Sequence, residues 1–258
     1  MKTPQTTGTS ALLLLAVLGF AVVVEVPATE PDWAVYDEFL ATHVTRGTLA
    51  GVSLNVVDYA AMRRDPGLAA VAAIIEDHPV AQLEGQAEMT AFLINAYNIL
   101  TLRLLAQQWP VDSIRDLGRL FRPVWKRPVG TIDGTSVSLD EIEHARLRPF
   151  GDPRIHFAIV CASVSCPDLR VEAYRGARLE EQLERQTREF LENDAKGLRI
   201  SGTTIEVSRI FKWFAEDFAN DGGIGAFVRR YRELPDPVRF RATMPYNWSV
   251  NAAPRTSR

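Results

Sequence analysis

Cysteine is nearly absent from this chain. Its 258 residues include two, Cys161 and Cys166, and only four histidines. Two thiols are too few for a disulfide-built scaffold. With four residues between them, they fit neither a zinc-site spacing nor a thioredoxin-type pair. No charge of one sign dominates either: 29 bases against 32 acids leave a formal net charge of −3. Neither a basic face for nucleic acid nor an acidic tail follows from that balance. The sequence has no GxSxG elbow, Walker loop, HExxH or CxxCH, and no GxGxxG that opens a helix after a strand. No metal and no cofactor is implied. Long apolar runs are also lacking. The run from Ala11 to Val24 has 14 residues, short of the roughly 18 of a spanning helix.

That run reads instead as the core of a leader. Lys2 precedes it and Val26-Pro27-Ala28 follows it, which gives a charged start, a short apolar centre and a small-residue cleavage site. The expectation is a signal peptide over residues 1–28, cut after Ala28. The domain at 29–258 would then be periplasmic or extracellular, with no membrane span after cleavage. An uncleaved N-terminal membrane anchor is the alternative.

The rest has material for an ordinary core, with 47% hydrophobic residues. Trp33, Tyr36, Phe39, Leu40, His43 and Val44 recur at helical intervals. Helices are further expected near 69–76, over about 88–107 up to Pro110, near 179–192, and after Ser208 as far as Gly222-Gly223. The 88–107 segment is apolar around so much of its girth that it must be central, and Asn95 and Asn98 share one face of it. Asp133-Gly134 marks a hairpin and Ser201-Gly202 a second. Ser138 to Glu141 fits a capping box opening a helix that carries Glu143 and His144 and stops at Pro149. Residues 154–161, RIHFAIVC, are short, β-branched and apolar on both faces, so a buried central strand packed against the 88–107 helix is expected. A strand over PVRFRA and an irregular tail close the chain. The pattern predicts a mainly helical, single-domain α+β fold.

Five separated motifs (FLINAYN, LDEIEH, HFAIVCASVSCPDLR, REFL and IFKWFAEDF) occur in this order along the chain. In that order and spacing the sequence resembles domain-of-unknown-function family 547 over nearly all of residues 29–258. The resemblance implies membership and motif positions but no activity. It also implies that serine can stand in the place of Cys166.

The polar residues embedded in apolar motifs are Asn95, Asn98, Glu143, His144, His156, Cys161 and Cys166. A thiol, an imidazole and an amide or carboxylate are the parts of a cysteine–histidine nucleophilic site. On a continuous strand, His156 and Cys161 would face opposite sides about 16 Å apart, which leaves His144 as the freer partner for Cys161 and Asn95 or Asn98 as the orienting amide. A lone Arg170 after the thiol loop is a weak candidate for an anionic group. Two functions stay open. One is an exported thiol hydrolase or acyl-transfer enzyme acting on a small-molecule or peptide ligand in the cell envelope. The other is a non-catalytic envelope binding or structural protein with a Cys161–Cys166 disulfide, in which Asp140 merely pairs with His144 and the amides brace loops.

Overall fold

Apolar spacing sets the first helix. In the computed structural model, which describes residues 30–119, 123–220 and 222–254, α1 (Ala34–His43) turns Tyr36, Phe39, Leu40 and His43 inward. The expected leader at 1–28 lies outside the described residues. Val44 then begins a hairpin absent from the sequence-based expectations, β1 (Val44–Leu49) against β2 (Val52–Val57). Its turn residues Ala50 and Gly51 have φ of 50° and 80°. Such two-residue turns are announced by Asn-Gly or Asp-Gly, and alanine hides the signal.

The short α2 (Tyr59–Met62) and α3 (Gly67–Asp77) lead to α4 (Gly85–Gln108), the central helix. Every residue from Thr90 to Leu102 is buried. α4 is long and apolar enough to cross a membrane, but here its whole circumference is covered by protein. β3 (Pro128–Ile132) and β4 (Thr135–Ser138) form the expected hairpin, with Asp133 and Gly134 both left-handed at φ of 53° and 71°. The Ser138 hydroxyl accepts from Glu141 N at 3.2 Å, so the expected start signal operates. It opens a π-helical segment, Glu141–Leu147, closed by a tight turn through Pro149.

The expected strand at 154–161 is overturned. Arg154 N bonds the Asp152 carboxylate at 2.9 Å, and Pro153 precedes a single helical turn, α5 (Ile155–Ala158). Only after Ile159, whose N–H returns to Ile155 O at 3.0 Å, does the chain extend. Full burial is the reason for the difference, since a run apolar on every side carries no periodicity to separate strand from helix. The expected packing against the central helix does hold, through Asn98.

Then come α6 (Leu179–Glu192), β5 (Leu198–Ser201), β6 (Thr204–Val207), α7 (Ile210–Trp213), α8 (Ala215–Ala219), α9 (Gly223–Arg229) and β7 (Arg239–Arg241). β5 and β6 pair as the second expected hairpin, and β7 joins β6 in parallel. Among the described residues the strands make small sheets of two, two and three, and helices dominate. The fold is α+β and mainly helical. One apolar cluster surrounds α4, and a second, rich in phenylalanine, joins α6 to α9. α5 lies between them: Ile155 and Ala158 belong to the first cluster, Phe157 to the second.

Candidate active site

Where α5 gives way to extended chain, two backbone groups lose their helical partners, and Asn98 takes both. Its Nδ2 donates to Ala158 O at 3.0 Å, and its Oδ1 accepts from Val160 N at 2.9 Å. Asn95 does the same for Tyr174, donating to its carbonyl at 2.8 Å and accepting from its N–H at 2.9 Å. Both amides are thus engaged by backbone, as buried polar groups require. Among the described residues neither amide hydrogen-bonds an imidazole.

Past Val160 the chain carries Cys161 into a loop ending at Cys166. Ala162 is held left-handed at φ 56°, a conformation that costs a non-glycine residue energy and persists only where neighbours enforce it. The C-terminal tail is that neighbour. Asn251 N donates to Ala162 O at 3.1 Å, Val164 N to Ser249 O at 2.9 Å, and Ser165 N to Asn247 O at 3.2 Å. Beneath the loop, the buried Lys196 ammonium donates to Cys166 O at 2.9 Å and to Asp168 at 2.6 Å.

The loop forms part of a cavity of about 290 Å³, near the roughly 300 Å³ lower bound of small-ligand pockets. Cys161, Cys166, Glu143, His144 and His156 all line it. The separation of His156 from Cys161 expected from the sequence presumes a straight strand and falls with that strand. The remaining lining is largely aromatic: Tyr97 from α4, Trp125, Trp213 and Phe214 around α7, and Tyr246 and Trp248 from the tail. Tyr246 packs 4.6 Å from Trp248 and 4.7 Å from Trp213, centroid to centroid.

Cys161 is half-buried and Cys166 buried, and both are free thiols. The Cys161 sulfur lies 3.2 Å from Ser163 Oγ and 3.2 Å from Tyr246 OH. A hydrogen bond with Cys166 is the largest influence on it. Together with the two hydroxyls and the Ser163 backbone, it brings the Cys161 thiol down to about 7, against the opposing effect of burial. Cys166 moves the other way, raised chiefly by burial and then by Cys161 beside it. Burial, with the neighbouring thiols, also pushes Tyr246 well up, which leaves its phenol a donor at neutral pH. Donors around one sulfur are what favours a thiolate.

Neither histidine hydrogen-bonds a thiol among the described residues. His156 Nε2 lies 2.7 Å from Asp217, and Phe214 stacks on its ring at 3.7 Å. Its Nδ1 is buried, with no hydrogen-bond partner among the described residues, 3.7 Å from the Glu143 carboxylate. Asp217 also takes two bonds of 2.7 Å from Arg148, whose guanidinium is the main reason its carboxyl is held low, followed by His156 and offset by burial. His144 sits nearer the rim, with Nδ1 3.0 Å from Arg148 and Nε2 3.8 Å from Asp140. That is the plain i,i+4 pair with Asp140 expected from spacing, and among the described residues no hydrogen bond joins His144 to Cys161. Arg170 faces a different groove, bonded to Gln186 and Glu172.

Tyr246, Ser163, Asp217 and the tryptophans do not stand out in the sequence. The tail MPYNWSVN looks irregular, and its one signal is an aromatic pair amid polar residues.

Residues 80–191 match a family model described as "Protein of unknown function, DUF547". No curated protein and no solved structure matches the chain. The matched segment includes both thiols, Glu143 and His156, whereas Asp217, Trp213, Tyr246 and Trp248 fall outside it. Over residues 80–191, the chain is similar to domain-of-unknown-function family 547.

Proposed function

We propose that this cavity is the active site of a thiol-dependent hydrolase or acyl-transfer enzyme, with Cys161 as nucleophile. The observation that carries the reading is one cavity-lining sulfur flanked by two hydroxyls, Ser163 Oγ and Tyr246 OH, each 3.2 Å from it and able to donate to a thiolate. The thiolate attacks the carbonyl carbon of an ester, thioester or amide, and the carbonyl π electrons move onto oxygen. The Tyr246 phenol is a fixed donor for that oxyanion, and such donors are a large part of acyl-transfer catalysis. Collapse expels the leaving group, which takes up the proton that Cys161 gave up on ionising, and leaves an acyl thioester on Cys161. Glu143 is the base for the water or acceptor that releases the acyl group. His156 lies 3.7 Å behind it and is itself held by Asp217 at 2.7 Å. The aromatic walls favour a small molecule or peptide with an apolar or aromatic group beside the carbonyl.

Residues 1–28 support a further proposal, that the protein is exported and works in the cell envelope. N-terminal sequencing of exported protein should begin at Thr29, and full-length protein in the membrane fraction would argue for an anchor instead.

The activity is tested with reduced protein and a series of chromogenic aryl esters and thioesters of graded acyl size. The expected result is turnover lost in Cys161→Ala, with an acyl adduct found at Cys161 by intact and peptide mass. If no ester or thioester acylates Cys161, the reading fails, and the non-catalytic envelope protein becomes the better account.

A further inference from the structure

The two thiols are too close and too unlike to be explained by a single nucleophile. Cys161 N donates to the sulfur of Cys166 at 2.8 Å. Cys161 is half-buried and Cys166 is buried, and both line the cavity. The turn between them is already folded back, with Cys166 N donating to Ser163 O at 3.0 Å, and the tail and Lys196 hold it there. Joining the two sulfurs therefore requires side-chain movement rather than opening of the loop.

We propose that Cys161 and Cys166 form a reversible redox pair, in which Cys161 is oxidised by a hydroperoxide and Cys166 resolves the product into a 161–166 disulfide. The Cys161 thiolate attacks the terminal oxygen of ROOH. The O–O bond breaks, RO⁻ leaves and takes up the proton given up by Cys161, and Cys161 becomes a sulfenic acid. The Cys166 sulfur then attacks that of Cys161, forming the S–S bond and expelling the sulfenic oxygen, which leaves as water with the Cys166 proton. The dithiol loses two electrons, and the peroxide is reduced to an alcohol and water. The contrast between the thiols supports this order: the more exposed sulfur, flanked by two hydroxyls, meets the oxidant first, and the more buried thiol beside it reacts once its neighbour has become an electrophile. The proposal needs Cys161 reduced and open to the cavity but does not require acyl transfer. It adds a consequence for that reading, because the disulfide would remove the nucleophile.

The test treats the fully reduced full-length chain with one equivalent of hydrogen peroxide, without ester substrate, and follows thiol count and peptide mass. Both thiols should be lost together, with the bond mapped to 161–166 and reversed by dithiothreitol without denaturant. In Cys166→Ser, dimedone should label Cys161, and in Cys161→Ser, Cys166 should stay unoxidised. Two thiols surviving peroxide, a sulfinate on Cys161 beside a free Cys166, or equal oxidation of Cys166 in Cys161→Ser would each overturn the pair. So would a bond that yields to dithiothreitol only after unfolding. The wild-type thiol count decides the matter even if a variant fails to fold. Because it is read without turnover, its failure is separable from failure of the acyl-transfer reading.

Discussion

Replacing Asn98 by Ala should both destabilise the protein and disable the thiol, and the size of the first effect comes from the contacts. The variant strips partners from Ala158 O and Val160 N, bonded to the amide at 3.0 and 2.9 Å. Ala158 and Val160 are both essentially inaccessible to solvent. Each orphaned backbone group costs about 1–3 kcal/mol, so a loss of about 3 kcal/mol is expected if one of the two finds water. With a urea slope of about 2 kcal/mol/M, the unfolding midpoint should fall by about 1.5 M. Asn95→Ala is the matched control, because it orphans an equivalent pair at Tyr174 and should cost about the same. The difference lies in the thiol. Asn98 fixes the segment that delivers Cys161 to its donors, so iodoacetamide labelling of Cys161 near neutral pH should slow in Asn98→Ala and stay unchanged in Asn95→Ala. A stability loss below about 1 kcal/mol for Asn98→Ala would refute the accounting. Equal labelling profiles in the two variants would refute the link to the thiol.

Tyr246→Phe removes one donor from a thiolate, worth about 1.5 kcal/mol, and should move the midpoint of the labelling-versus-pH curve up by about one pH unit. An unmoved curve would remove Tyr246 from the site. Lys196→Met leaves the buried side of Asp168 without its cation, although Arg46 still pairs with that carboxylate from the surface at 2.8 Å. Breaking such a pair costs about 3 kcal/mol, to be checked by urea unfolding. The carboxyl of Asp217 is lowered from 3.8, mainly by Arg148, so the unfolded chain protonates it first as pH falls. Its contribution to stability is therefore full above the ordinary aspartate range and is lost as pH drops through the depressed folded value. Asp217→Asn should flatten the acid limb of the unfolding curve, and an unchanged limb would contradict the assignment.

Much of the fold is legible where a sequence feature has one physical meaning. Asp133-Gly134 dictates a two-residue hairpin turn, Ser138 offers a side-chain acceptor to Glu141, and the all-apolar girth of 88–107 leaves a helix no place but the centre. Legibility ends where one pattern suits two structures. Ala50-Gly51 adopts the same turn as Asp133-Gly134 without the residue that advertises it. RIHFAIVC is buried on every side, and burial erases the periodicity that would have marked its first half as a helical turn. The π-helical winding of Glu141–Leu147 has no sequence signature in a segment that short, and it sets which of Glu143 and His144 points inward.

The site is legible by residue type and not by partnership. The thiols, Glu143 and both motif histidines do share one cavity, because polar groups among apolar neighbours must be either satisfied or used. How His156 is held is decided by residues far along the chain: Asp217, 61 positions after it, bonds its ring, and Phe214 stacks on it. His144 instead ends among Arg148, Asp140 and solvent. The hydroxyls beside the Cys161 sulfur obey the same logic, since Tyr246 comes from a tail 85 positions away whose described residues make isolated β-bridges, Val250 with Ser163 and Ala252 with Val57. That tail bonds the 162–165 backbone as well as supplying the phenol, so the restraint on Ala162 and the hydrogen bond to the Cys161 sulfur have a common origin. Removing the tail should therefore cost more than removing Tyr246 alone. A chain ending before Met244 should lose protection from proteolysis in the 161–166 loop as well as the low-pH onset of thiol labelling, whereas Tyr246→Phe should lose only the second. If the shortened chain labels like Tyr246→Phe and its loop stays uncut, the loop is held from beneath by Lys196 and α4, and the tail serves the sulfur alone.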